Sequence, residues 1–365
     1  MSTVTELWVN RENYRDTKIM ESPSRTLADG EVRVAIDKFG LTSNNVSYAV
    51  SGDMIGYWKY YPADEPWGKV PVWGIGEVAQ SNASEIAVGE RLYGFFPMAS
   101  ETILTVGSVQ SGAFMDASPH CKDLPALYNQ YRRTGADPTY LQSMETERCL
   151  LFPLFITSFV LYDYLVDNDY FGAEQVVIGA VSSKTGFGLA ELLKRDDKVR
   201  VVGLTSPGNL AFVHSLRCCD QIVAYGHEAE ISARTKTAYV DMSGNAALTE
   251  TLHCRIGENM VESCMVGATH WEKRGRAKDL PGARPTFFFA PGQIAKRDQE
   301  WGAGVLFEKA NAAAAEIAEK VSSEMSVETI EGAEATAEIW KAMLDNQVSP
   351  KRGLIVSMSS GRAGE

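Results

Sequence analysis

The sequence predicts an α/β protein of two domains, a small antiparallel β-barrel and a doubly wound parallel sheet. Three observations predict it. Short alternating apolar runs punctuated by Gly, Asn and Pro fill residues 31–101, and strand-like and helix-like runs alternate from about 171 to 300. A β-branched run, VVIGA, also ends in a small-residue turn that passes straight into the helix-forming stretch GFGLAELLK. The first pattern is that of short barrel strands. The second is that of a parallel sheet covered by helices, and the third is the strand–turn–helix order of nucleotide-binding units.

In chain order, EVRVAID (31–37), VPVWGIGEVAQ (70–80), ERLYGFF (90–96) and ETILTV (101–106) are the expected barrel strands. The expected parallel strands are VVIGA, VRVVGL, QIVAY, TAYVDM, MVESCMVG and PTFFFA, with helices at GFGLAELLK, LAFVHSLR and AALTETL between them. AGVLFEKANAAAAEIAEKVSSEM reads as a long helix in which Glu316 and Lys320 pair at i,i+4. GLIVSM (353–358) is a lone strand with no helix after it, expected to return to the first domain. The expected boundaries are 1–155 with 322–365 for the barrel domain and 156–321 for the parallel-sheet domain.

Composition narrows the ligands. The 365 residues, 45% hydrophobic and 22% charged, are enough for a large core. No segment approaches 18 uninterrupted apolar residues, and MSTVTELWVNRENYRD lacks the apolar centre of a signal peptide, so a cytoplasmic protein with no membrane role is expected. The six cysteines form neither a C-x-x-C pair nor an even framework, which fits reduced thiols and no structural zinc. A net charge of −12 without a basic block argues against nucleic acid. A small-molecule substrate is the expected partner.

Two phosphate-binding motifs compete for VVIGAVSSKTGFGLAELLK (176–194). A P-loop needs G-x-x-x-x-G-K-[ST]; Lys184 and Thr185 supply its last pair, but Ile178 and Ser183 stand where its glycines belong. The dinucleotide fingerprint G-x-G-x-x-G, laid on 183–188, matches only at Gly188. Its context is better, with a strand before, a helix after and a second strand at the right distance. A tight turn serving only helix–sheet packing remains a third reading. If the turn holds a phosphate, Ser182, Ser183, Lys184, Thr185 and Gly186 are its contacts.

The end of the second strand bears on cofactor choice. NAD sites place an acid there for the ribose hydroxyls, whereas GLTSPGN (203–209) has none. Thr205, Ser206 and Asn209 can donate to a 2′-phosphate, with Lys184 adding charge, so NADP(H) is expected over NAD. A plain turn with Pro207 at a helix start is also compatible.

Together these stretches resemble the medium-chain dehydrogenase/reductase superfamily, in its zinc-independent quinone-reductase and enoyl-reductase-like branches. GEVRVAIDKFGLTSNNV resembles the opening strands, VPVWGIGEVAQSNASEIAVGERLYGFF the stretch holding the family's glycine-rich and G-[DE]-R-V motifs, and FPLFITSFVLYDYLVD the helix leading to the cofactor domain. SVETIEGAEATAEIWKAMLDNQVSPKRGLIVSM resembles the closing helix and strand. The resemblance implies a GroES-like barrel plus a Rossmann domain, an NADP(H)-dependent reductase of a carbonyl or activated alkene, and a homodimer. Residues 108–145 form an insertion longer than the family pattern, marking a divergent branch.

Zinc-dependent members carry a cysteine and a histidine where this chain reads LTSNNVSYA and WGIGEV, so the resemblance implies no metal. It places substrate-lining positions at Asn44, Asn45 and Tyr48. Beyond them, residues 53–68 concentrate Tyr57, Trp58, Tyr60, Tyr61 and Trp67, which suits an apolar pocket with polar tips, or ordinary interface packing. Asn45, Tyr48 and Tyr57 are the catalytic candidates, with His270 as a proton donor at the end of the fifth strand. Ser243, Gly267 and Thr269 are the nicotinamide-side candidates at carboxyl ends of strands. The rival readings are an NADP(H)-binding sensor without turnover and a non-redox lyase or hydratase in the same cleft.

Overall fold

The computed structural model describes residues 3–266 and 280–358. The chain divides into two compact units, Met1–Leu150 with Val327–Glu365, and Leu151–Ser326. The boundaries expected from the sequence, 155/156 and 321/322, fall inside helices. The helix Phe152–Asp167 is continuous and stays whole in the second unit, and the helix Val305–Ser322 completes its last turn before the chain leaves.

The first unit begins with strands β1 (Thr3–Asn10), β2 (Thr17–Pro23), β3 (Glu31–Leu41), β4 (Trp67–Gly68), β5 (Pro71–Ser81), β6 (Arg91–Pro97), β7 (Glu101–Gly107), β8 (Ala113–Asp116) and β9 (Gln130–Arg133). The second unit contributes β10 (Gln175–Gly179), β11 (Arg200–Thr205), β12 (Gln221–Ala224), β13 (Thr237–Asp241), β14 (Met260–Met265) and β15 (Thr286–Phe287). The chain then makes β16 (Ser326–Glu331) and β17 (Arg352–Ser357).

In the first unit the strands run β3-β5-β6-β9-β8-β7, and β7 pairs back onto β3 to close a barrel. Alternation explains the inner face: Val32, Val34 and Ile36 of β3 are buried, as are Val72 and Val78 of β5 and Leu92 and Phe96 of β6. Each such side chain stabilises the unit by roughly 1.5–3 kcal/mol. β17 returns to this unit, with Leu354 opposite Leu41 and Val356 opposite Phe39. The stretch read as an insertion is integral to the barrel, because β8 and β9 lie within it and bridge β7 to β6.

In the second unit the order is β12-β11-β10-β13-β14-β15, and among the described residues these strands pair in parallel. Every residue of β10 and β13 is buried, the pattern of strands covered on both faces. The order reverses between β10 and β13, which makes their carboxyl ends the switch point where such sheets bind ligands. The pair expected within the helix Val305–Ser322 does not form. Glu316 instead meets Arg195 (2.8 Å) and Lys320 meets Glu191 (2.7 Å), because the neighbouring helix Lys184–Asp196 offers closer opposite charges. Among the described residues, no helix is long and apolar enough to cross a membrane.

Candidate functional site

Register places the turn after β10. Gly179 lies opposite Leu204 of β11 and Asp241 of β13, so the segments following these three residues share one edge of the sheet. Ser183 caps the next helix, its hydroxyl accepting from the Gly186 amide at 3.1 Å. A side chain at Gly186 would put Cβ 2.6 Å from the Ala180 carbonyl oxygen, and one at Gly188 would put it 2.6 Å from Ser158 Oγ. These glycines let the helix start close to the sheet, with its dipole aimed at the edge.

The same edge gathers the residues expected to select the cofactor. Thr205 Oγ1 donates to Ser182 Oγ (2.9 Å), and Asn209 Nδ2 donates to Ser182 Oγ (3.4 Å) and Ser206 Oγ (3.0 Å). Ser182, Thr205, Ser206 and Asn209 thus form one polar cluster without a carboxylate among them. Lys184 begins the helix as a half-buried residue, and desolvation lowers its ammonium to about 8. Thr185 follows it, its carbonyl accepting from Ser158 Oγ at 2.8 Å. Ser243 donates its hydroxyl (2.6 Å) and amide (2.8 Å) to Asp241 Oδ1, so its oxygen is held by the sheet edge. Gly267, Thr269 and His270 lie outside the described residues.

Two residues of this edge escape the sequence reading. Tyr225, just after β12, accepts the Ala180 amide at 2.9 Å and so fixes the turn; burial pushes its phenol up to about 12. Asp241 is buried and receives the amides of Ser243 and Gly244. A polar residue at the end of each strand, visible in QIVAY and TAYVD, is the signal that finds both.

In the first unit the aromatic candidates divide. Tyr48 and Tyr57 pack with ring centroids 4.5 Å apart, and Tyr57 Oη lies 3.1 Å from Tyr128 Oη. Phe95, Trp73 and Tyr60 complete the cluster, with Phe95 4.8 Å from Tyr128 and Trp73 Nε1 donating to Tyr48 Oη at 3.3 Å. Burial raises the Tyr48, Tyr57 and Tyr60 phenols, keeping them protonated donors. Trp58, Tyr61 and Trp67 go elsewhere. Trp58 fills the space left by Gly52 and Gly68, Tyr61 donates to the Phe95 carbonyl at 2.6 Å, and Trp67 sits in β4. Asn45 spends its amide on the backbone: Oδ1 accepts from Thr42 N (2.7 Å) and Nδ2 donates to the Pro71 carbonyl (3.1 Å). It holds the helix Ser43–Val50, which carries Tyr48, in place. Trp73, Phe95 and Tyr128 lie outside the aromatic-rich loop, Trp73 and Phe95 on barrel strands and Tyr128 in the insertion, so only strand pairing brings them to Tyr48 and Tyr57.

An open cleft of about 740 Å³ elsewhere on this unit is lined by Glu90, Arg91, Arg133 and Glu145 among others. Arg91 pairs with Glu145 and Arg133 with Glu90, so these guanidiniums are already neutralised. The insertion also brings together Asp116, His120 and Cys121, whose ligand atoms lie within 4.8 Å of one another. Burial, with the Asp116 charge, pushes the Cys121 thiol up to about 12.

A closed barrel and a parallel sheet in the order 3-2-1-4-5-6 are the two folds expected from the sequence, a GroES-like barrel and a Rossmann domain. The chain belongs to the family described as "Protein of unknown function (DUF2855)", whose model matches residues 39–349. No curated protein matches it. Solved structures do. CurA from Vibrio vulnificus in complex with NADPH is similar with a TM-score of 0.61 at 12% identity, over 99% of this chain and 100% of that one. CurK enoyl reductase is similar with a TM-score of 0.58 at 13% identity, over 98% and 99%. The yhdH oxidoreductase from Salmonella enterica in complex with NADP gives 0.52 at 14% identity, over 97% and 100%. At these identities the likeness establishes the fold.

Proposed function

We propose that the protein is a zinc-independent NADP(H)-dependent oxidoreductase that passes hydride to a carbonyl or activated alkene of a small molecule. The observation that carries this reading is the carboxylate-free cluster of Ser182, Thr205, Ser206 and Asn209 at the carboxyl edge of β10 and β11. An acid there would repel a 2′-phosphate; hydroxyl and amide donors accept one. Bound structures of two similarly folded proteins, CurA with NADPH and yhdH with NADP, support the same choice.

The nicotinamide supplies the hydride chemistry when bound. The chain's own residues orient it and stabilise the oxygen on which charge develops. Tyr48 and Tyr57, held protonated by burial, are the donors this reading assigns to that oxygen. The stretches where zinc-dependent relatives place a Cys and a His ligand read LTSNNVSYA and WGIGEV here, with neither residue in them, so hydrogen bonds take the place of a Lewis acid.

NADPH is expected to bind at least about tenfold more tightly than NADH, equivalent to about 1.4 kcal/mol. Fluorescence titration of both nucleotides measures it, and equal affinities would remove the argument from the polar cluster. Stoichiometric NADPH oxidation against enones, quinones and aldehydes tests turnover. Tight NADPH binding with no oxidation of any of them would establish a sensor instead. Tyr57→Phe is expected to lower kcat by about 100-fold while leaving NADPH affinity unchanged. An unchanged kcat would take Tyr57 out of the chemistry. Light scattering tests the homodimer separately.

A further inference from the structure

Asp116 ends β8, and the short turn Pro119–Cys121 follows it, so an Asp-x-x-x-His-Cys run folds back on itself. Asp116 Oδ1 is fixed by three donors, the amides of Thr105 (3.1 Å) and Ser118 (3.0 Å) and the Ser118 hydroxyl (2.7 Å). That leaves Oδ2 facing the Cys121 sulfur at 3.7 Å. Oxygen and sulfur ligands on one tetrahedral zinc, at about 2.0 and 2.3 Å, lie about 3.5 Å apart, so this pair is already near the spacing a shared ion needs. The His120 ring completes a set whose ligand atoms all fall within 4.8 Å. Its Nε2 lies 3.0 Å from the Tyr60 carbonyl oxygen. When Nε2 donates there, Nδ1 carries the lone pair, which is the outer hydrogen bond that orients metal-bound histidines.

We propose that Asp116, His120 and Cys121 bind a divalent zinc ion, with water completing the coordination. The donor set of one oxygen, one nitrogen and one sulfur favours zinc over the hard cations, which take oxygen alone. A Cys–His nucleophile is the other chemistry such residues perform. Cys121 is only 4% exposed and Asp116 7%, which shields the sulfur from a substrate but not from a small ion reaching it beside the exposed His120. The site ties the insertion to Tyr60, whose ring lies 5.7 Å from that of Tyr128. Its role is therefore to brace the aromatic cluster, apart from hydride transfer.

This run has no C-x-x-C spacing and lies away from the stretches where zinc-dependent members carry their ligands, the two grounds on which the sequence predicts no metal. The full chain should be stripped with chelator and titrated with Zn²⁺ against a chromophoric competitor, then with Co²⁺ while following thiolate-to-metal absorption. About one saturable zinc per chain is expected, with thiolate absorption on cobalt loading and a zinc-dependent rise in Tm. His120→Ala, a change at an exposed residue, should weaken zinc at least about tenfold while retaining the native circular dichroism. Cys121→Ser should abolish the thiolate band. No saturable zinc in the parent, or identical affinity in His120→Ala, would overturn the site. Neither result depends on nucleotide binding, so the oxidoreductase reading stands or falls separately.

Discussion

Arg148→Ala is expected to lower the unfolding free energy by roughly 3 kcal/mol, the lower end of the range for breaking a buried ion pair. Arg148 is 2% exposed and its Nη1 lies 2.8 Å from Asp137 Oδ2, an ion pair without good hydrogen-bond alignment. Its guanidinium also covers the Tyr93 ring at 4.4 Å. Truncation leaves Asp137 in the interior with only Arg132, 2.9 Å away and 40% exposed, which is why the loss falls short of the upper limit. Arg148→Lys should recover little, because a point charge cannot both stack on Tyr93 and meet the carboxylate. Urea unfolding measures the change as a lower midpoint with an unchanged m-value. Arg352→Ala, a surface pair with Glu328, is the control and should cost no more than about 1 kcal/mol. A loss at Arg148 no larger than that control would mean that Arg132 alone neutralises Asp137.

The consequence reaches the aromatic cluster. Tyr93 stacks on Trp73 with centroids 5.5 Å apart, and Trp73 donates to Tyr48. Loss of Arg148 therefore loosens the support of a proposed catalytic phenol, and turnover should fall before global unfolding does.

The parallel sheet was legible in the sequence because its central strands carry apolar, β-branched runs and its helices keep their own period. Val176 to Gly179 and Ala238 to Asp241 need no distant partner to be recognised as buried strands. Barrel closure was not legible. β8 and β9 are AFMD and QYRR, four residues each, with no alternation, and only their pairing with β7, β6 and each other makes them strands. The same holds for side chains whose partners are remote in sequence. Lys320 has Glu316 one turn away and takes Glu191 instead, and Trp58 is drawn from its aromatic neighbours into the gap beside two glycines. Ser182, Thr205, Ser206 and Asn209 come together because parallel register brings successive strand ends to one edge, a rule that the strand order alone supplies. Asn45 carried no such rule, and its amide serves the first turn of the helix Ser43–Val50, in which it is the third residue.

Lys184→Ala is expected to weaken NADPH by roughly 1.5–3 kcal/mol, the usual value of a charge-assisted hydrogen bond. If the ammonium meets the 2′-phosphate, NADH should bind as before; if it meets the pyrophosphate, both nucleotides should weaken together. The pH dependence gives a second reading of the same group. Desolvation lowers the ammonium to about 8, so its charged fraction in the free protein falls as pH rises through that value. A bound phosphate favours the charged form, and binding above pH 8 must therefore take up a proton. NADPH affinity should be level from about pH 7 to 8 and decline above it, and Lys184→Ala should abolish the decline. In the ligand-free protein the sign is opposite. A lysine whose folded pKa lies below its unfolded value costs stability while the unfolded chain is protonated and the folded one resists it, a penalty that fades as pH rises from about 8 towards 10.4. Removing the side chain relieves that penalty at neutral pH and forfeits some packing of its stem, so the ligand-free Tm should change little. A variant that binds both nucleotides like the parent, with the alkaline decline intact, would show that the turn holds phosphate through Ser183, Thr185 and the helix amides alone.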